Sequence, residues 1–255
     1  FALLNKAMPA CSQAVSGYLA ASLPENRAQF VLDPVATAAR MERFFSQNPA
    51  INIDPQTLSL VGRSVIHLPG SNAIETQWKS LAGDERYDAV FREDDGEWKL
   101  DWDHFVRYSD FPWPLFLAGA GPSEGEFRLL ARERLATERK DAETISIVLY
   151  ATRFGHPEDM GLQSPEFLIP RNSRDGQLLD AAFQLARSGK RVFGSHLPDW
   201  NADDMIRVRV KVRRIESEEG RKFEIAGITA CHWLSVEAPG VEIPAPSAEV
   251  PPAED

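Results

Sequence analysis

Cysteine is scarce in this sequence, and so are long apolar runs and positive charge. Cys11 and Cys231 are the only cysteines, and their wide separation lacks the close spacing of a zinc site or a redox pair. A disulfide framework is therefore excluded, although one bridge between them stays open. No run reaches the ~18 apolar residues of a membrane span, so we expect no transmembrane segment. The net charge of −10 argues against nucleic acid as a partner.

Sequence motifs that indicate a particular enzymatic reaction are also missing. The sequence contains no glycine-rich phosphate loop, no nucleophile elbow, no paired acidic metal motif and no internal repeat. The histidines are scattered along the chain, at His67, His104, His156, His196 and His232. We therefore assign no catalytic residue, no cofactor and no metal, and the balance leans against an enzyme.

The clearest structural signal is a hairpin pattern in residues 86–108. Asp95 and Gly96 supply the turn that a tight hairpin needs, between two runs of alternating apolar residues. The pattern places Tyr87, Ala89 and Phe91 on one face of the first strand. It places Trp98, Leu100 and Trp102 on one face of the second, with Lys99, Asp101 and Asp103 on the other. A β-bulge near Asp103 is the one feature that would turn a carboxylate inward.

Two helices and further strands precede the hairpin. Residues 8–22 repeat apolar side chains at helical spacing, and a second helix is expected to begin at Asp33-Pro34, capped by Asp33 and ended by Asn48-Pro49. Val35, Ala38, Ala39, Met41 and Phe45 would form its apolar face. From Thr57 the period changes to two, which predicts two or three strands before the hairpin.

This order of helix, helix and antiparallel meander resembles the NTF2-like (cystatin-like) superfamily over roughly residues 5–110, by element order alone. The resemblance implies a curved sheet that wraps a helix and forms a cone-shaped pocket. Candidates to line the pocket are Tyr87, Phe91, Trp98, Trp102, His104 and Asp33. Two alternatives stay open: the pocket serves a small-molecule enzyme of isomerase, dehydratase or hydrolase type, or the aromatic side chains simply fill the cone.

Residues 108–117 contain two prolines, which argue against a regular helix, and several large apolar residues. We expect a connector in which Phe111, Trp113, Leu115 and Phe116 pack between two domains. Beyond it, strands are predicted over 126–136 and 144–154, a helix over 176–189, and strands over 205–215 and 222–234.

The sequence thus predicts an α+β protein with two domains and a tail. Residues 1–115 form the NTF2-like domain and residues 116–238 form a second α+β domain of ββαββ order. The proline-rich residues 239–255 have no period and little to bury, so we expect an extended or disordered tail.

Four cations alternate with apolar residues on the strand predicted over 205–215. Arg207, Arg209, Lys211 and Arg213 occupy one face, and Ile206, Val208, Val210 and Val212 occupy the other. We name the four cations the basic stripe. If carboxylates such as Glu133 or Glu224 balance it, the stripe is a solvated sheet face. If it is unbalanced, and if Arg128, Arg132 and Arg134 lie on the same side, the stripe binds an anionic partner.

These observations favour a non-enzymatic binding or assembly protein, whose partner is an unknown protein or small molecule. The chain begins at Phe1 rather than Met, so we expect that a signal peptide or anchor has been removed. That expectation places a bacterial-type protein in the periplasm or another extracytoplasmic compartment, with the cytoplasm as the alternative. A homodimer formed through the sheet of the first domain also stays open.

Overall fold

The computed structural model describes residues 2–48, 51–134 and 143–243. Over these residues the chain is α+β, as predicted, with two antiparallel sheets and their helices. No helix in these ranges is long and apolar enough to span a membrane.

The first half contains one four-stranded sheet and most of the helices. Its helices are α1 (Ala2–Ala20), α2 (Pro24–Ala28), α3 (Pro34–Gln47) and α4 (Trp102–Phe105), and its strands are β1 (Leu58–Leu68), β2 (Ser71–Ser80), β3 (Arg86–Asp94) and β4 (Glu97–Leu100). The strands pair in the order β1-β2-β3-β4. Helix α1 contacts the sheet and buries the predicted stripe of Met8, Cys11, Val15, Tyr18 and Leu19.

The hairpin prediction is confirmed at its turn and wrong at its end. Strands β3 and β4 pair antiparallel, and Asp95 and Gly96 have the positive φ angles that the turn requires. Strand β4 ends at Leu100, however, and Trp102 lies in the short helix α4. No bulge forms near Asp103, because Asp101 accepts a hydrogen bond from His104 N and starts that helical turn.

Helix α3 begins and ends where the sequence predicts, but not for the predicted reason. Asp33 has a left-handed φ of 47° and its side chain does not cap the helix; instead its carbonyl accepts from Thr37 N. The predicted apolar face is right at Met41 and Phe45, which belong to or pack against the first core, and wrong at Val35 and Ala39. Val35 is exposed, whereas Thr37 and Met41 are buried.

The second half is a five-stranded sheet around helix α6. It contains β5 (Glu124–Glu133), β6 (Thr144–Tyr150), β7 (Phe167–Pro170), α6 (Arg174–Arg187), β8 (Met205–Ser217) and β9 (Gly220–Ala230). The strand order is β7-β6-β5-β8-β9. The predicted ββαββ order does not include β7. This strand has only four residues, which is too short to show a clear alternation of apolar and polar residues. Ser173 caps α6, and Gly189 takes the expected positive φ just after it.

The connector between the halves belongs to the second core. Residues Trp113–Leu117 form a short helix, α5, with Pro114 in its first turn, where proline is tolerated. Trp113 and Phe116 are buried against Phe127, whereas Leu115 is exposed. The predictions that no helix forms here and that these side chains pack between the two halves were therefore wrong.

The start of the predicted tail is ordered against the second half. Cys231 N donates to Pro239 O, and Val241 and Ile243 pack against the second core. The prediction of an extended or disordered tail is therefore wrong for residues 239–243. Residues 244–255 lie outside the described residues.

Candidate functional site

The aromatic candidates of the first half fill its core. Tyr87, Phe91 and Trp102 are buried, and Trp98 packs against them half-buried. Trp102 Nε1 donates to Tyr18 Oη over 2.8 Å, which satisfies both polar atoms inside the core. The remaining two candidates lie elsewhere, His104 between the sheets and Asp33 at the surface. The structure therefore does not bring the six candidates together at one site.

The basic stripe has the predicted alternation, but half of it is covered. Ile206, Val208, Val210 and Val212 are buried on the other face of β8. On the stripe itself Lys211 and Arg213 are exposed, while the side chains of Arg207 and Arg209 are almost entirely buried. They are buried because this face of the second sheet packs on the first half.

Arg207 is neutralised by two aspartates. Its Nη2 lies 2.6 Å from Asp88 Oδ2 on β3 and 3.2 Å from Asp199 Oδ1. Burial alone would lower the pKa of Arg207, but Asp199 and Asp88 outweigh it and the pKa is raised. Burial likewise opposes ionisation of Asp199, yet Arg207 and Arg191 lower its pKa to about 2. This cluster joins the two halves, because Asp88 belongs to the first half and Arg207 and Asp199 belong to the second.

Arg209 is placed differently, because Arg128 lies directly opposite it on β5. Arg128 donates to the carbonyl oxygens of Trp233 and Tyr108 and pairs with Asp103 at 3.4 Å. Arg209 donates only to Val236 O, and its Nε has no hydrogen-bond partner among the described residues. Burial first, and then the charge of Arg128, lower the pKa of Arg209. Like charges directly opposite on a sheet repel one another.

Arg128 and Arg209 lie at the floor of a cleft between the two halves. The cleft has a volume of about 610 Å³, within the usual range for small-molecule sites, ~300–1,000 Å³. Its cations are Arg40, Arg128, Arg209 and Lys211, and its carboxylates are Asp33, Asp103, Asp110, Glu124, Glu126 and Glu237. Tyr108 also lines it, and its buried Oη has no partner among the described residues.

A buried network holds the floor of the cleft rigid. Asp103 pairs with Arg40 at 3.1 Å and accepts a hydrogen bond from Ser235 Oγ. The neighbouring Asp101 accepts from both the N and the Oγ of Ser235, each at 2.8 Å. Burial raises the pKa of Asp101 despite these bonds. Side chains fixed in this way keep the cleft preformed, which lowers the entropic cost of binding.

His104 and His232 lie between the sheets and stay neutral. Burial, reinforced by Arg207 and Arg128, lowers the pKa of His104 well below its usual value, and neither ring nitrogen has a partner among the described residues. Cavities of about 30 and 10 Å³ flank His104. The larger has room for a water molecule, which needs ~10–15 Å³. A neutral imidazole enclosed in this way is not placed to transfer a proton to a ligand.

Reasoning from the sequence missed most of the cleft. It singled out Asp33, Arg209 and Lys211, and it named Arg128 on the condition that Arg128 lies beside the basic stripe. It did not single out Arg40 or Ser235. The signal that was available was the pair Asp101 and Asp103 beside a predicted buried strand, since a buried carboxylate requires a partner. The partners come from residues more than 20 positions away and could not be named without the fold.

No group of three or more potential metal ligands occurs in the described part of the chain. Comparisons with protein-family models, with curated proteins and with solved structures gave no match. Function is therefore argued from the cleft itself.

Proposed function

We propose that this is a binding protein without catalytic chemistry, and that its ligand occupies the cleft with an anionic group at Arg209 and Lys211. The observation that carries the proposal is that neither of these cations forms an ion pair among the described residues. An anion placed there would offset the repulsion between Arg209 and Arg128. In the same proposal the first half is an NTF2-like domain, which helix α1 lying on an antiparallel sheet supports.

The rim of the cleft favours a ligand that also carries positive charge. Asp33, Asp110 and Glu237 are exposed carboxylates around the cationic floor. A polyanion would meet these carboxylates, whereas a zwitterion would pair with both the rim and the floor. We therefore expect a small zwitterionic molecule or a short peptide rather than nucleic acid.

The proposal is tested by calorimetric titration with phosphate, glutarate and a Lys-Glu dipeptide at low and physiological salt. We expect the dipeptide to bind most tightly. Lys211→Gln should weaken it by about tenfold or more, because an ionic contact contributes on the order of 1.5–3 kcal/mol. Arg213→Gln is the matched control. Arg213 lies on the same strand face and is outside the cleft, although its partner Glu124, 2.8 Å away, lines the cleft. Arg213→Gln should therefore change the affinity much less than Lys211→Gln.

Two results would overturn this proposal. One is that none of the three probes binds or raises the melting temperature of the wild-type chain. The other is that Lys211→Gln and Arg213→Gln weaken binding equally, since a diffuse surface attraction would then explain it. Heparin serves as the polyanion control, and we expect no retention at physiological salt because Arg207 is covered and exposed carboxylates rim the cleft.

A further inference from the structure

Among the described residues, the two edge strands of the second sheet pair with no further strand and face each other across a slot. Neighbouring strands in the order β7-β6-β5-β8-β9 are all antiparallel, so the edge strands β7 and β9 run in the same direction. A slot of about 330 Å³ separates them, lined by residues 166–170 and 223–225. A strand inserted between them would be antiparallel to both edges and would give a six-stranded sheet.

The hydrogen-bond pattern shows which backbone groups of β7 face the slot. Arg171 N donates to Glu143 O on the β6 side over 2.8 Å. Because hydrogen-bonded positions alternate along an antiparallel strand, Phe167 and Ile169 also face β6, and Leu168 faces the slot. Pro170 is in phase with Leu168, where its missing N–H costs no ladder bond. Its carbonyl already accepts from Ser173.

The same reasoning applies to β9. Arg214 N donates to Ser123 O, so the neighbouring Arg213 directs its backbone groups toward β9 rather than β5. Arg213 is paired with Glu224, whose backbone groups therefore face β8. Those of Phe223 and Ile225 face the slot instead. Leu168, Phe223 and Ile225 thus present N–H and C=O groups to the slot from both sides.

The side chains around the slot indicate what would fill it. Toward the second core, Phe167 and Ile169 are buried and Phe223 and Ile225 are half-buried. On the outer side Leu168 is 64% exposed, and Glu224 is exposed and forms no ion pair among the described residues. An inserted strand would therefore place apolar side chains inward, and cationic side chains outward beside Glu224. Glu166 already pairs with Arg134.

We propose that the slot binds an extended segment of a partner protein, with alternating apolar and basic residues, as a sixth strand. Some Cα atoms of β7 and β9 lie within 8 Å of each other, whereas strands on either side of a third are about 9.5 Å apart. Binding of the segment therefore increases the distance between β7 and β9 where these two strands are closest. The site is separate from the cleft, and neither proposal depends on the other.

The test is titration of the full chain with a fluorescent peptide of three Lys-Val repeats, blocked at both ends. We expect saturable binding that Leu168→Pro weakens by at least about tenfold, because proline removes the amide that faces the slot. Leu168→Gln keeps the backbone amide, so its affinity for the peptide should be within about twofold of the wild-type affinity. A Glu-Val peptide of the same length should bind more weakly.

Peptide N-methylation tests the proposal on the unaltered protein, in case Leu168→Pro does not fold. A Lys-Val peptide methylated on alternate amide nitrogens cannot donate to one edge, and we expect it to bind at least about tenfold more weakly. Equal binding of the methylated and unmethylated peptides, or no binding by either, would overturn the proposal. Equal binding by the Glu-Val peptide would overturn the basic character of the partner.

Discussion

Arg207 on β8 and Asp88 on β3 form a buried ion pair between the two sheets, with 2.6 Å between Nη2 and Oδ2 and side-chain exposures of 9% and 8%. Arg207 of the basic stripe is thus neutralised by a carboxylate of the other half of the molecule, not across the strand by Glu133 or Glu224. Glu133 instead pairs with Arg171 and Arg187. A buried pair of this kind fixes how two elements dock more than it adds net stability.

Arg207→Met is expected to lower the free energy of unfolding by ~3–5 kcal/mol, because it leaves Asp88 buried without its cation. Urea denaturation followed by tryptophan fluorescence measures the change. The control is Arg213→Met, an exposed cation of the same stripe, which should cost ~1 kcal/mol or less. Similar costs for the two variants would show that the Arg207 pair is not buried in solution.

The sequence predicts what short-range periodicity determines. The strand face of Ile206, Val208, Val210 and Val212, the turn at Asp95-Gly96 and the stop at Gly189 were predicted correctly, because each depends on adjacent residues alone. The class of the fold, α+β, follows from the order of these elements.

What the sequence could not predict are contacts between distant segments. A stripe of alternating cations predicts a solvated sheet face. The side chain of Arg207 is buried instead, because it pairs with Asp88, which lies 119 positions away in the sequence. Trp102 fits a strand face by parity, but a local hydrogen bond from His104 N to the Asp101 side chain starts a helical turn instead. The cleft depends both on contacts between distant segments and on the local turn at Asp101. Its floor comes from β5 and β8, and one wall comes from α3 and α4.

Trp102→Ala is expected to cost ~3–5 kcal/mol, because it empties a fully buried volume and leaves Tyr18 Oη without its donor. The matched variant is Trp98→Ala, whose side chain is only half-buried on the same core, and which should cost clearly less. Chemical denaturation of both variants gives the comparison. If Trp98→Ala proved the more damaging, the core would be centred on β4 rather than on α4.

Acid is expected to weaken the fold through His232. Burial lowers its pKa to about 4, although the bond to Ala238 O opposes the shift, while the unfolded value is ~6.5. The folded state then binds fewer protons than the unfolded state. The free energy of unfolding is therefore not reduced by His232 above pH ~6.5, and it falls by about 3 kcal/mol as the pH falls toward ~4. His104 acts in the same direction.

The pKa values of Asp101 and Glu75 are raised by burial, and they favour the folded state as the pH falls. The measurement is therefore the difference in unfolding free energy between the wild type and His232→Gln, taken at several values between pH 7 and pH 4. We expect any advantage of the wild type to shrink steadily over this range. A constant difference would mean that His232 is not neutral and buried in the folded protein.

Cys11 and Cys231 are expected to be free thiols that react only after unfolding. Both are buried, they lie in the cores of different halves, and burial raises the pKa of each to about 12. At pH 8 only about one thiol in ten thousand is then ionised, and the thiolate is the reactive form. Titration with a disulfide reagent should detect no thiol in the native protein and two in denaturant. If no thiol is detected in denaturant without reductant, the two cysteines form a disulfide. If one thiol reacts rapidly in the native protein, that thiol lies at the surface, and the variants Cys11→Ala and Cys231→Ala show which one it is.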